Sequence, residues 1–308
     1  MGKLLIVGTV AFDAIETPFG KTDKILGGAA TFIGLAASHF KADSAIISVV
    51  GEDFPAEYLK LFREKNIDIS GLEVVPNGKT FFWSGRYHND LNRRDTLSTE
   101  LNVLADFDPV VPEAYRDADV LMLGNLHPDI QMKVIEQMAR KPKLTVLDTM
   151  NYWMTHTWDE LMKVLGEVDV LAINDEEARQ LSGEYSLVKA AARISSMGPE
   201  YVVIKKGENG ALLFHHDRIF FAPALPLEEI FDPTGAGDTF AGGFAGYVAE
   251  TQNISFNNLK NAVIHGSNLA SFCVERFGTE RLLELKRGEI DRRLAQFSEL
   301  TQFDIQVE

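Results

Sequence analysis

The sequence predicts an α/β fold: a mostly parallel central sheet between two helical layers, an α/β/α sandwich, carrying a small antiparallel β lid. Two observations lead there. Short apolar, β-branched runs bounded by Gly, Asp or Asn alternate with stretches of helical spacing, the order that lays parallel strands side by side under crossover helices. One segment breaks this alternation.

In chain order, "KLLIVG" reads as a first buried strand, since its apolar run is too short for a signal peptide or a membrane span. "SAIISVVG" is the second strand, followed by the helical "PAEYLKLFREKN". From Leu72 to about Asp106 polar and aromatic residues alternate around an Asn77-Gly78 turn signal with little helical period. This stretch, about 72–106, is expected to form the lid together with a short N-terminal segment, about 13–24. The alternation then resumes with "DVLMLG", the helical "IQMKVIEQMARK", and the strands "LTVLDT", "DVLAIN" and "YVVIKKG". Beyond Gly237 the pattern is helical almost to the end. No repeat, low-complexity tract or long linker interrupts it, so one domain is expected over 1–308.

Composition narrows the function classes. With 308 residues, 45% of them hydrophobic and 24% charged, the chain can bury a large core. A net charge of -15 argues against nucleic-acid and anionic-membrane partners, so an anionic ligand must be held by a local site. The one cysteine, Cys273, forms no internal disulfide, and a cytoplasmic location is expected.

Ligands of such sheets collect beyond the carboxyl ends of the strands. Those ends offer Asp13, Asn125, Asp148 with Asn151, Asn174 with Glu177, and Lys206 with Gly207. Singly, Asp and Asn there read as helix caps; jointly they mark a site. The densest signal is "DPTGAGDTF". The amides of Gly235, Ala236 and Gly237 open a helix whose N-terminus favours an anion, and Asp238 beside them suits the proton of a hydroxyl better than an anion that would repel it. Donors plus an acceptor in one segment are what phosphoryl transfer asks for.

"DPTGAGDTFAGGFA" resembles, at every constrained position, the second signature of the ribokinase-like (PfkB-type) carbohydrate kinases, and the likeness runs over essentially the full chain. The resemblance implies a ribokinase-like sandwich and an ATP-dependent kinase using Mg2+, with a monovalent cation by the last helices as a further possibility. It makes Asp238 the general base, with the amides of Ala236 and Gly237 in the anion hole. Asp13, Gly27, Gly28 and Asn125 would border the substrate. Asn174, Lys206, Gly207, Gly210, Gly235, Gly237 and Asn268 would border ATP, and Glu177 would hold Mg2+ through water. Strand alternation alone leaves open which of Lys205 and Lys206 faces the nucleotide; the resemblance favours Lys206. Phe32 stands where many sugar kinases of the family carry a sugar-binding Asn, and "DTMNYW" lacks the Arg of Asp-Pro-Asn-x-Arg relatives.

A sugar is the expected acceptor. A nucleoside is the alternative, favoured by Phe32 and the lid aromatics Phe81, Phe82, Trp83 and Tyr87, while Arg86, Arg93 and Arg94 could meet a substrate anion. A non-catalytic ligand-binding homologue is the third reading, opposed by the intact Asp238. The lid could also pair with a second copy. The seven histidines lack metal spacing, and the pair His215-His216, read as one strand, should point to opposite faces.

Overall fold

The computed structural model describes residues 1–91 and 93–302. Its strands are β1 (Gly2–Val7), β2 (Ala11–Thr17), β3 (Gly20–Lys21), β4 (Ile25–Gly27), β5 (Ala42–Gly51), β6 (Ile67–Val75), β7 (Phe82–Tyr87), β8 (Arg94–Glu100), β9 (Val120–Leu123), β10 (Leu144–Leu147), β11 (Val170–Asn174), β12 (Tyr201–Lys205), β13 (Ala211–His215) and β14 (Arg218–Ala222). Nine form the main sheet in the order β14-β13-β12-β11-β10-β9-β1-β5-β6. From β12 to β6 every neighbour is parallel, and β13 and β14 add an antiparallel hairpin at one edge.

Alternate residues of each strand feed two different cores. Leu4 and Ile6 of β1 join Met122, Val146, Phe32 and Phe244 on one face, beneath helices Ala29–Ala37, Ala236–Thr251 and Phe256–Cys273. Leu5 and Val7 join Leu121, Leu123, Leu161 and Ile194 on the other. Burial on both faces explains why these strands read as unbroken apolar runs. No helix among the described residues is long and apolar enough to cross a membrane.

The smaller sheet holds β2, β3, β4, β7 and β8. Its pairs are antiparallel except for β2 with β7. Its boundaries differ from those expected. Leu72–Val75 continue β6, pairing in parallel with β5 at the free edge of the main sheet. Asn77, at φ 56, turns the chain out of that sheet rather than joining two lid strands. The lid begins at β7, its hairpin turn lies where His88 N donates to Arg93 O, and Asn102–Asp106 form a 3-10 turn. Its N-terminal part runs from Ala11 to Gly27.

The pair His215-His216 also departs from the strand reading. His215 closes β13, while His216, at φ 52, occupies the turn into β14, so both rings lie on one side with centroids 4.3 Å apart. With Glu200 they bring ligand-type atoms within 4.8 Å of one another. Both nitrogens of His215 are nevertheless engaged: Arg218 Nη2 donates to Nδ1 at 2.6 Å, so the proton sits on Nε2, which donates to Glu200 Oε1 at 2.7 Å. The cluster clamps the edge hairpin.

Candidate active site

Asp238 stands in the first turn of helix Ala236–Thr251. The helix begins there because Gly235 takes a left-handed φ of 73°, with the Phe32 ring so close beneath that a Cβ would meet it at 2.5 Å. Phe32, 1% exposed, is thus a floor for the loop, so its presence in place of the family's Asn does not bear on a nucleoside acceptor. Asp232, fully buried, ties the loop down by accepting from Thr234 N and Gly278 N, each at 2.8 Å. Ala236 N donates to Pro233 O at 3.2 Å, which occupies one of the three amides expected to face an anion. Gly237 N–H follows at the helix start with no carbonyl one turn back, while the Asp238 N–H is drawn to its own carboxyl.

Burial, reinforced by the nearby Asp148, holds the Asp238 carboxyl well above the ordinary carboxylate range, and Lys205 and Arg94 oppose that shift. Lys205 was not singled out by the sequence. It is the last residue of β12, and its Nζ donates to Asp148 Oδ2 at 3.2 Å. The same Nζ lies 3.2 Å from the place a Cβ on Gly237 would take. The neighbouring Lys206, in contrast, sends its Nζ over the Phe221 ring on β14, 5.8 Å from the centroid. The lysine beside Asp238 is therefore Lys205.

Asn174 and Glu177 form a reciprocal capping box: Glu177 N donates to Asn174 Oδ1 and Asn174 N to Glu177 Oε2, both at 2.8 Å. One Glu177 oxygen stays outside that box. Its carboxyl is pushed up to about 7, first by desolvation and then by Asp148, against the pull of Lys205. Asp148, Glu177 and Asp238 thus crowd negative charge about Lys205, an arrangement that suits an arriving divalent cation.

The lid supplies the opposite wall. Asp13 on β2 is buried beneath Gly27 and Gly28; a Cβ on Gly27 would meet its Oδ2 at 1.9 Å, and Gly28 N donates to Oδ2 at 3.4 Å. Desolvation pushes Asp13 up to about 7, the Gly28 amide opposes it, and the charges of Asp232 and Asp238 add to it. In register with Asp13 is Trp83 of β7, whose ring lies over Gly85 with Nε1 donating to Thr96 Oγ1 at 3.3 Å. The Arg94 guanidinium lies 5.7 Å from that ring and its charge reaches Asp13, Glu177 and Asp238, whereas Arg86 pairs with Glu16. Asn125, beyond β9, is fixed between Met150 Sδ and Trp153 Nε1.

Two expected nucleotide contacts lie elsewhere. Asn268 is fully buried with Nδ2 donating to Ile290 O, joining the last helices instead of reaching the cleft. Gly210 is buried where a Cβ would meet Ala222 O at 2.1 Å, so it lets β13 and β14 approach; Gly207 is exposed at the turn after β12.

A desolvated carboxyl on a glycine-started helix, at the carboxyl edge of a parallel sheet and beside a smaller β sheet, is an arrangement that suits a small-molecule kinase. The model of the pfkB family of carbohydrate kinases matches residues 1–285. The chain is 33% identical over 253 residues to the cytidine kinase of Thermococcus kodakarensis, covering 80% of this chain and 89% of that protein. It is 27% identical to the nucleoside kinase of Methanothermobacter thermautotrophicus over 96% of each. Its fold matches the crystal structure of the Methanocaldococcus jannaschii nucleoside kinase with a TM-score of 0.77 at 20% identity, covering 96% of this chain and 99% of that one. The chain belongs to the pfkB family of carbohydrate kinases, and is a phosphotransferase with a sugar or nucleoside hydroxyl as acceptor.

Proposed function

We propose that the protein transfers the γ-phosphoryl group of ATP to a pentose hydroxyl of a nucleoside. The observation that carries the transfer is Asp238 at the start of helix Ala236–Thr251, a desolvated carboxyl in the first turn beside Gly237. Asp238 accepts the hydroxyl proton as the new P–O bond forms, and the helix start faces the charge on the moving phosphoryl oxygens. Asp13 holds the acceptor hydroxyls on the lid side. Glu177 would hold Mg2+ through water, and the ion would offset charge on the nucleotide phosphates. The nucleoside reading is supported by the 33% identical cytidine kinase and by the Trp83 ring on the lid face that carries Asp13, a surface able to stack on a base. Phe32 gives it no support, being buried. A free sugar is the second reading, favoured by the family as a whole.

Three finer points complete the proposal. A monovalent cation near the last helices would act on the loop that Asp232 ties to Gly278. Exposed Leu97 and Leu101 on and beside the lid favour pairing with a second copy. The buried, unpaired Cys273 agrees with a cytoplasmic site of action.

The test is ATP turnover with a panel of nucleosides and free pentoses, scoring ADP and phosphorylated product for wild type and Asp238→Asn. Nucleosides should be turned over, with a loss of about 10²–10⁴-fold in the variant. Turnover of pentoses alone would overturn the nucleoside assignment, and undiminished turnover in Asp238→Asn the assigned base.

A further inference from the structure

We propose that Lys205 is a catalytic residue of this kinase, its ammonium passing from Asp148 to the transferred phosphoryl group, with Asp148 as the positioning residue that holds it between turnovers. This rests on the phosphotransfer reading above. It begins from the ion pair: Lys205 Nζ and Asp148 Oδ2 lie 3.2 Å apart, with side chains 15% and 9% exposed. Buried pairs are often inert, because desolvation consumes much of the attraction. Three features set this one apart. It sits at the carboxyl ends of β12 and β10, where substrates gather, and not in the sheet interior. Its ammonium lies against Gly237, where even a methyl group would come within 3.2 Å, so the glycine keeps the cation in line with the amides that open the helix. And it has more than one partner: the carboxyls of Asp148, Glu177 and Asp238 all act on the one ammonium. A closed structural pair needs one carboxylate. A cation that must serve an incoming phosphate needs a placeholder it can leave.

In the transfer, the bond from phosphorus to the acceptor oxygen forms as the bond to the ADP oxygen breaks. The acceptor proton goes to Asp238, and Lys205 keeps its proton throughout, changing only its partner. An ammonium offers three donors, so contact with the phosphoryl oxygens does not require complete release of Asp148. Arg94 of β8 also acts on Glu177 and Asp238, so a second cation is available to the moving group.

The experiment compares full-length wild type, Lys205→Met, Lys205→Arg, Asp148→Asn and the double variant Lys205→Met/Asp148→Asn, which removes both members of the ion pair together in case the single change impairs folding. Read-outs are kcat, KM for ATP and acceptor, the pH profile of kcat/KM, and ADP binding by calorimetry. Removing the lysine should lower kcat about 10²–10³-fold, the scale of losing one preorganised donor to transition-state charge, with acceptor KM changed less than about threefold. The groups facing Asp238 are Asp148, Lys205 and Arg94, with Asp13 across the cleft. Hence the acid limb should move to higher pH in Lys205→Met, return towards wild type in Lys205→Arg, and move to lower pH in Asp148→Asn. A folded Lys205→Met or double variant with wild-type kcat, or an acid limb that stays put in both Lys205→Met and Asp148→Asn, overturns the assignment while wild-type turnover leaves the kinase reading intact. Absence of phosphoryl transfer in the wild type itself would overturn both.

Discussion

Asp13, Glu177 and Asp238 share one physical condition: each is a carboxyl drawn out of water, with burial the largest cause of its upward shift. A base must be ionised to act, so kcat/KM should fall on acidification through the range near 7. The same shifts bear on stability. A carboxyl with a raised native pKa binds a proton in the folded chain that the unfolded chain has already released, so its contribution is fully present below the unfolded value near 4 and is lost as pH rises through the folded one. Above that point the ionised group opposes folding. Asp238→Asn removes the burden, and should melt higher than wild type at pH 8, by on the order of 2–4 °C for each 1 kcal/mol relieved. The gap should narrow at pH 5, where the native carboxyl already carries its proton. A lower melting temperature than wild type at pH 8 would contradict the reading of Asp238 as a strained, functional charge. His39 and His265 work in the opposite sense. Desolvation lowers both to about 4, so the stability they carry as neutral rings is lost as pH falls from about 6.5 towards 4.

At the scale of elements, the small residues after Asp238 do two jobs. Gly235 and Gly237 shape the helix start, but Gly242, Gly243 and Gly246 are contacts between helices. A Cβ on Gly242 would stand 2.3 Å from Ile33 O, one on Gly246 2.9 Å from Ala37 Cα, and one on Gly243 2.9 Å from Gly266 Cα. Backbone atoms cannot step aside, so Gly242→Ala should cost about 1–3 kcal/mol and disturb turnover through the position of Asp238. Gly288→Ala, with nothing within 4 Å, should be neutral or stabilise by up to about 1 kcal/mol. Equal melting temperatures for the two variants would refute this division. The strands were legible because two-sided burial leaves continuous apolar runs, and Asp238 because its signature is dense. The edge hairpin was not, since its turn uses His216 at positive φ where sequence would look for Gly or Asn. Leu72–Val75 were misplaced because exposed edge strands and lid strands share a mixed polar and apolar pattern. Lys205 was missed because alternation tells two neighbours apart without saying which one faces a cleft, and Asn268 was misassigned because a polar residue on a buried helix face reads like one facing a ligand.

Across the whole molecule, the smaller sheet and the loop that precedes helix Ala236–Thr251 meet at a buried side-chain hydrogen bond. Thr234 Oγ1 donates to Tyr87 Oη at 3.2 Å, linking β7 to the segment that precedes Gly235 across 147 residues of sequence. Tyr87 is 6% exposed and Thr234 9%, so the bond is screened from water, and its loss leaves the Thr234 hydroxyl without that acceptor. The two ends of this bond belong to the two parts that the proposed transfer would have to hold in register: β7 carries Trp83 beside Asp13, and the loop leads into the helix start. If the lid closes to exclude water, this contact reports its position to the anion-binding amides. Tyr87→Phe keeps the ring and its packing and removes the oxygen that accepts from Thr234 and that Arg94 also reaches. It should therefore leave the melting temperature within a few degrees of wild type while raising, by roughly threefold or more, the ADP formed per phosphorylated product, because a loop released from the lid admits water in place of the acceptor hydroxyl. Asp238→Asn should slow transfer without the same rise, since its lid contact is intact. An ADP-to-product ratio in Tyr87→Phe equal to that of wild type, in a folded protein, would show that the lid and the anion-binding loop act independently.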